Sequence, residues 1–410
     1  MLSSVNDQAV GAVGTANTYI GIFIIMFSVI SSGMVAVMTQ NIGAGRPGVA
    51  YQARQLGLAF NAVLGVIMSL FLSLGAGTIL SGVGVADALM QPAKTYLQIV
   101  GGFCILNALI PICSSYLRAF GFSKEPLYAS IIGNVINFCL NAFFLFVLHK
   151  GVAGVATATV ISRIINLVIV VLLGAVLVKA KQHPERESNR AVMGQIIRIG
   201  LPSACETAIY NVSMTLVIRF LNQMDAQGLN VTARSYTMQI TNFSYCVGAA
   251  LAQANAIMTG WHIGAKEYDA CDRGTRKAAI IGVIVAVILE TMFALCSGWI
   301  MQLFSKDPQM VSLVGKLLAI DIVLEIGRVT NLVYGQALKT SGDAVFPVVM
   351  GACFMILCSV GGTYLFGIRL GLLAVGAYIG MTGDECVRAV GMYLRWKSGK
   401  WKEKGLVKSR

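Results

Sequence analysis

Residues 116–126 read YLRAFGFSKEP, and residues 337–347 read ALKTSGDAVFP. Leu117, Gly121 and Pro126 recur as Leu338, Gly342 and Pro347, and Arg118 is answered by Lys339. The spacing is 221 residues each time. Working outward, Ile42-Gly43-Ala44 recurs as Ile263-Gly264-Ala265, and Val10 and Ala12 as Val231 and Ala233, with no gap. After Pro126 the register slips by one, so that Gly151 and Val155 match Gly371 and Val375. Apolar matches come cheaply in an apolar chain, but matched Gly and Pro at loops do not. The chain reads as two parallel copies of one unit, and paired repeats of this kind build transporters around a central site.

Hydrophobic residues make up 56% of the 410 and charged residues 12%, with a mean hydropathy of +0.75. A soluble domain cannot hide that much apolar surface. The apolar stretches reach the ~20 residues that cross a bilayer as helix, and no period of two suggests a barrel. Eleven spans follow, near 10–41, 52–80, 92–119, 126–148, 152–178, 198–221, 230–260, 277–304, 311–338, 345–367 and 372–395. The fold class is an all-α integral membrane protein with two pseudo-repeated helical lobes, five helices in the first and six in the second. The lobes cover 1–180 and 198–396. A polar linker, 181–197, joins them, and Pro184 within it argues against one unbroken helix. A basic tail, 397–410, closes the chain. The helix near 198–221 has its counterpart before Met1. The first lobe is therefore expected to lack its first helix, either because the protein truly lacks it or, as the preferred reading, because the chain starts at an internal Met of a longer sequence.

When loops are assigned alternately to two sides, Lys and Arg crowd one of them. That side holds Arg46, Arg54, Arg118, Lys124, Arg186, Arg190, Lys266, Arg273, Arg276, Lys339 and the tail. It reads as cytoplasmic, which places the C-terminus inside a cell membrane crossed many times. The tail is expected along anionic headgroups. The net charge of +13 is thus explained by topology, and no folded basic module points to nucleic acid. Ten cysteines include no C-x-x-C pair and mostly lie in apolar spans, where Cys acts as a small buried hydrophobe. Three dispersed histidines give no metal site. No nucleophile motif or Walker-type phosphate loop is present, so neither an enzyme nor an ATP-driven pump is indicated.

Ionisable residues inside spans are costly, about 2.5–3.5 kcal/mol each near the bilayer centre, and so tend to face cavities or partners. Glu206 leads, on a polar stripe with Ser203, Tyr210 and Ser213. No base lies near it in its own helix, which suits reversible protonation or a hard cation such as Na⁺. The other reading is a neutral carboxyl hydrogen-bonded for structure. Asp321, Glu325 and Arg328 share a second helical face, either as an internal ion pair or as a gate or binding site, with Asp321 formally unbalanced. Asn134, Asn137 and Asn141 form a third stripe, lining a cavity or bonding between helices. Gln40, Gln253 and Asn255, toward cytoplasmic helix ends, belong to a gate or are solvated ends. Asp384 and Arg388, four apart, read as a local pair. The implied partners are a small-molecule substrate and the bilayer, with no cofactor, for a chain acting as a monomer.

MTQNIGAG (Met38 to Gly45), the two stretches quoted first, IGLPSACE (Ile199 to Glu206) and GVAGVA (Gly151 to Ala156) together resemble the MATE family, multidrug and toxic compound extrusion transporters. The resemblance covers the whole chain. It implies two six-helix lobes around a cavity open alternately to each side, and export of amphipathic, often cationic compounds driven by Na⁺ or H⁺ entry. It also implies that Glu206, at the place of a family carboxylate, takes part in cation coupling, with Asp321 or Glu325 from the tenth family helix. Two departures stand out. The first family helix is absent, and Asn137 to Asn141 reads NFCLN where relatives often read N-x-x-L-D. Coupling is therefore expected in the second lobe. The alternatives are a lipid-linked saccharide flippase of the same superfamily, which would favour a basic cavity, and a non-transporting truncated remnant.

Overall fold

A computed structural model describes residues 7–82, 87–179, 185–225 and 227–407. Of the expected linker and tail, residues 181–184 and 408–410 lie outside the described residues, as do residues 1–6. The described chain is helical: α1 (Asp7–Gly43), α2 (Pro47–Leu74), α3 (Ala76–Gly82), α4 (Asp87–Tyr96), α5 (Ile105–Ala119), α6 (Lys124–Ala142), α7 (Gly151–Leu177), α8 (Asn189–Met224), α9 (Leu229–Gly264), α10 (Tyr268–Leu295), α11 (Ser297–Gln302), α12 (Pro308–Ser341), α13 (Val345–Phe354) and α14 (Leu373–Lys397). π-helical turns extend α4, α6 and α13. Among the described residues, six helices are long and apolar enough to cross a membrane, and a seventh span arises if the bent pair Leu89–Gly101 and Ile105–Ala119 counts as one. The helices outside that set include α8, α9, α12 and α14, which carry the buried polar side chains described below.

The repeat governs the helix ends. Helices α2 and α10 begin at Pro47 and Tyr268 and end at Leu74 and Leu295, and α1 and α9 end at Gly43 and Gly264, each pair 221 apart. Left-handed backbone recurs likewise, at Gly121 (φ 90°) and Gly342 (φ 99°), and at Gly45 (φ 72°) and Lys266 (φ 61°). Lys266 holds this conformation without glycine's freedom, a cost of roughly 1–2 kcal/mol that the repeated turn imposes.

Burial is inverted relative to a soluble protein. Helix α2 buries Gln52, Gly57, Asn61, Gly65 and Ser69 and exposes Val63, Ile67, Leu70 and Leu74. Helix α10 buries Thr275, Gly282 and Glu290 and exposes Ile281, Ile284, Ile288 and Leu295. Small and polar faces pack inward and large apolar faces point out, as lipid requires.

Two compact units divide the chain, Met1–Leu201 and Pro202–Arg410. In the first, α1, α2, α4, α5 and α7 share a core containing Ile20, Phe27, Leu72, Leu97 and Ala156. In the second, one core joins Val217, Leu221, Leu317, Leu318 and Tyr378, and another joins Cys271, Val329, Val333, Tyr334, Trp396 and Trp401.

Two expectations are corrected. Residues 189–197 of the expected linker are helical, because α8 runs unbroken from Asn189 through Pro202 to Met224. Its first turns pack on α1 at two glycines, where a Cβ on Gly33 would strike the Ile196 carbonyl and one on Gly200 the Val29 carbonyl. Over its described length the basic tail packs on the protein. Lys400–Glu403 form a 3₁₀ turn whose Trp401, 1% exposed, stacks on Trp396 at 4.1 Å, while Asp343 holds Arg395 at 2.7 Å and Lys404 at 3.7 Å. The cysteines are not mainly buried either: Cys104, Cys113 and Cys271 are, but Cys139, Cys205, Cys246, Cys296 and Cys353 are exposed.

Candidate functional site

The site lies in the second unit, where α8, α9, α12 and α14 bring polar faces together. Asp307 starts α12 by accepting the Gln309 amide at 2.9 Å, with Pro308 at the first helical position, and Gly342 ends it. Between these ends Asp321, Glu325 and Arg328 share one face, as their spacing predicts. Arg328 donates to Glu325 at 2.7 Å, so the anticipated pair forms. Asp321 is 2% exposed, and its Oδ2 has no hydrogen-bond partner among the described residues.

Helix α14 supplies charges that sequence reasoning had treated as a local pair. Arg388 donates to both oxygens of Asp384, at 2.8 and 3.0 Å, and also meets Glu385 at 2.9 Å. Glu385 accepts from Asn331 at 3.0 Å and faces Arg328 at 3.8 Å. Ser359 donates to Asp384 at 3.0 Å. One ionic network thus joins α12 to α14 through Glu325, Arg328, Glu385, Arg388 and Asp384. The i, i+3 and i, i+4 spacings were visible in the sequence. The crossings between helices were not.

Glu206 is not the unpaired carboxylate that its own helix suggested. Lys339, near the end of α12, reaches it at 2.6 Å. Reading one helix at a time hid this partner, although Lys339 had been marked as the repeat of Arg118.

Two cavities open beside this network. One, of about 250 Å³, is lined by Tyr210, Arg234, Tyr245, Asp321, Arg328, Asp384 and Glu385, with Met214, Met238, Leu324 and Met381 among the rest. The other, of about 240 Å³, is lined by Glu206, Tyr210, Tyr245, Arg328, Lys339, Glu385 and Arg388. They share Tyr210, Tyr245, Arg328 and Glu385. Four carboxylates and four cations line the two together, so the walls are charge-balanced rather than mainly acidic as the sequence implied. Behind the walls stand two further carboxylates, Glu325 and Glu290, each 0% exposed. Glu290 stands on α10.

The remaining candidates fall elsewhere. Asn141 donates to Asn137 at 2.9 Å and Asn137 to Ser162 at 3.3 Å, so these two serve hydrogen bonding along α6 and onto α7, while Asn134 is exposed. Gln40 is buried in the first unit. In the second, Gln253 is exposed and Asn255 donates to Thr275 at 3.4 Å. None of these lines either cavity. No cluster of three or more metal-ligating side chains occurs among the described residues.

A multi-pass helical bundle with lipid-facing apolar surfaces and an ion network beside polar cavities has the build of a membrane transporter. The MatE family profile matches residues 1–143 and 202–365. The Bacillus subtilis transporter YisQ is 32% identical over 99% of this chain and 90% of its own length. A protein of Thermotoga maritima described as a probable multidrug resistance protein, NorM, is 22% identical over 98% of this chain and 87% of its own. A crystal structure of a MATE protein in its bent conformation superposes with a TM-score of 0.89, covering 98% of this chain and 90% of that one at 18% identity. The chain belongs to the MATE family of transporters.

Proposed function

We propose that this transporter exports amphipathic, often cationic drugs or metabolites across the cell membrane in exchange for inward Na⁺ or H⁺, by alternating access. Its relatives described as multidrug resistance proteins support efflux as the direction. The observation that carries the ion coupling is the charge balance of the second unit. Glu206, Glu290, Asp321, Glu325, Asp384 and Glu385 stand against Arg234, Arg328, Lys339 and Arg388. The set has a formal excess of two negative charges in a medium where uncompensated charge is costly. Added cations or protons relieve that excess, and a cationic substrate competes for the same relief. Asp321, facing a cavity with one oxygen unpartnered, is the entry point. Glu206 exchanges between Lys339 and the incoming cation, and Glu325 between Arg328 and the same cation.

An inward-moving ion gains about 2.3 kcal/mol per charge per 100 mV, enough to bias the cycle. The methionine and tyrosine walls accept an apolar substrate body without demanding one shape. Cation-rich loops support a cytoplasmic C-terminus in this reading, which takes the chain as a monomer that needs no cofactor. A flippase for lipid-linked phosphates is not favoured by walls in which four carboxylates meet four cations. Dye efflux under separate Na⁺ and pH gradients tests the proposal. The native chain exports under at least one gradient, and Glu206→Gln abolishes export while leaving the protein in the membrane. Full resistance in that variant contradicts the role.

A further inference from the structure

A third cavity in the second unit, of about 250 Å³, shares no lining residue with the two beside the ion network. Its most buried lining is aromatic: Tyr334, Trp396 and Trp401 are 4%, 2% and 1% exposed. The tail builds part of it. Gly399, left-handed at φ 72°, turns the chain after α14. Trp401 then stacks on Trp396 and donates to its carbonyl at 2.9 Å, and Trp396 donates to Asp272 of α10 at 2.8 Å. Three exposed cations line the cavity: Arg276 on α10, Lys397 at the end of α14 and Lys402 in the tail. Asp343 holds their neighbours Arg395 and Lys404, but among the described residues none of these three enters an ion pair. Two carboxylates, Asp269 and Asp272, complete the charged lining, and three cations less two carboxylates leave it a formal charge of +1.

We propose that this cavity binds the headgroup of an anionic phospholipid from the surrounding membrane. Two apolar helix faces lead to it. On α10, Ile280, Ile284 and Ile288 follow Arg276 at intervals of four and are 50%, 53% and 61% exposed. On α14, Val387 and Val390, 40% and 58% exposed, precede Tyr393 and Lys397 at intervals of three and four. Such spacings keep residues on one face of a helix. Each face therefore runs from lipid-exposed apolar side chains to a cation of the cavity. A phospholipid matches that succession, with acyl chains on the apolar faces and phosphate at the cations, whereas a soluble anion meets the cations alone. The tyrosines and tryptophans fit the same level, since such rings gather at the headgroup boundary. Arg276, Lys397 and Lys402 donate charge-assisted hydrogen bonds to the phosphate oxygens. Headgroup hydroxyls donate to the Asp269 and Asp272 carboxylates, which repel a second anionic group. The lining thus selects a headgroup with one negative charge and free hydroxyls, the chemistry of phosphatidylglycerol, over neutral phosphatidylcholine. The site does not depend on which ion or substrate the transporter moves.

The experiment uses the purified full chain in detergent, with dissociation constants for short-chain phosphatidylglycerol and phosphatidylcholine read by native mass spectrometry. The native chain is compared with Lys397→Gln/Lys402→Gln and with a control, Lys277→Gln/Lys400→Gln. The control removes the same charge from exposed lysines of α10 and the tail that do not line the cavity. The native chain is expected to bind phosphatidylglycerol about tenfold or more tightly than phosphatidylcholine. Lys397→Gln/Lys402→Gln is expected to weaken phosphatidylglycerol binding by about tenfold or more and the control by no more than about twofold. Arg276→Gln, which leaves the tail unaltered, is expected to weaken it in the same direction. Equal affinity of the native chain for the two lipids overturns the proposal. Equal losses in the two double variants overturn it as well, because they mark diffuse attraction rather than a site. A further arm adds inorganic phosphate at the concentration of the lipid. Undiminished phosphatidylglycerol binding supports a lipid site, and displacement of the lipid makes the cavity a site for soluble anions instead.

Discussion

The two units share one plan and differ in what their interiors hold. Where the second carries Glu290, Asp321, Glu325 and Arg328, the first carries, 221 residues earlier, Ser69, Val100, Cys104 and Asn107. The helices at these positions differ too. Helix α12 is continuous from Pro308 to Ser341, whereas its counterpart bends by 42° between Gly101 and Ile105. Gly101-Gly102 stands where α12 has Ile322-Val323, and paired small residues are a common cause of a kink. Ser69 then accepts the freed Ile105 amide at 3.0 Å. At the same repeat position, one unit uses a hydroxyl to mend a broken helix and the other places an acid behind an unbroken one. The repeat preserves the scaffold, and the network of Glu325, Arg328, Asp384, Glu385 and Arg388 belongs to one copy.

This contrast can be attacked from the side of stability. Arg388 is 3% exposed and holds Asp384 and Glu385. Arg388→Leu strands both acids and is expected to destabilise the second unit by roughly 3–5 kcal/mol, the usual cost of removing one partner from a buried ion pair. Its counterpart Val168 is half-exposed, and Val168→Ala is expected to stay within about 0.5 kcal/mol. Thermal melting of the purified variants in detergent checks both. Equal losses would dissolve the contrast.

In the first unit α8 meets α1 by close backbone approach at Gly33 and Gly200. Gly200→Val, placed against the Val29 carbonyl, is expected to cost roughly 1–3 kcal/mol through overpacking. Limited proteolysis should then release fragments from residues before 201 first. Early cleavage confined to the second unit would count against it.

The smallest expected effect lies in a loop. Asp225 accepts the Leu229 amide at 2.8 Å and the Asn230 amide at 3.0 Å, ahead of α9. A desolvation cost that would raise its pKa is outweighed by these hydrogen bonds, and its pKa lies below the ordinary 3.8. Its contribution is therefore full above the unfolded value and is lost as pH falls through the lower folded value. Asp225→Ala is expected to cost about 1 kcal/mol at neutral pH, as other lost caps do, and nothing at strongly acidic pH. A pH series of denaturation midpoints reads this out.

Much of this arrangement was written along the chain. Gly121, Gly342, Pro126 and Pro347 marked helix ends that the fold keeps. The acidic face of α12 followed from spacings of four and three. What spacing cannot convey is which helices touch. Glu206 looked unpaired because Lys339 arrives from α12, 133 positions away in sequence. Asp384 reads as a local partner of Arg388, and the links of Glu385 to Asn331 and Arg328 are hidden because they cross between helices. The packing of the basic tail was hidden because two tryptophans, Trp396 and Trp401, decide it, while five lysines around them dominate its composition. Glu290 is buried with no hydrogen-bond partner among the described residues, a property no sequence pattern displays.

The central claim is that cation exchange is carried by the second unit. Its most direct test is gradient-driven ethidium efflux from proteoliposomes, comparing Asp321→Asn with the first-unit double variant Asn137→Leu/Asn141→Leu. The account predicts a fall of about tenfold or more for Asp321→Asn and a change within about twofold for the first-unit variant, the former corresponding to a lost interaction of at least ~1.4 kcal/mol in the rate-limiting state. Native efflux in Asp321→Asn, with efflux lost in the asparagine variant, would contradict it.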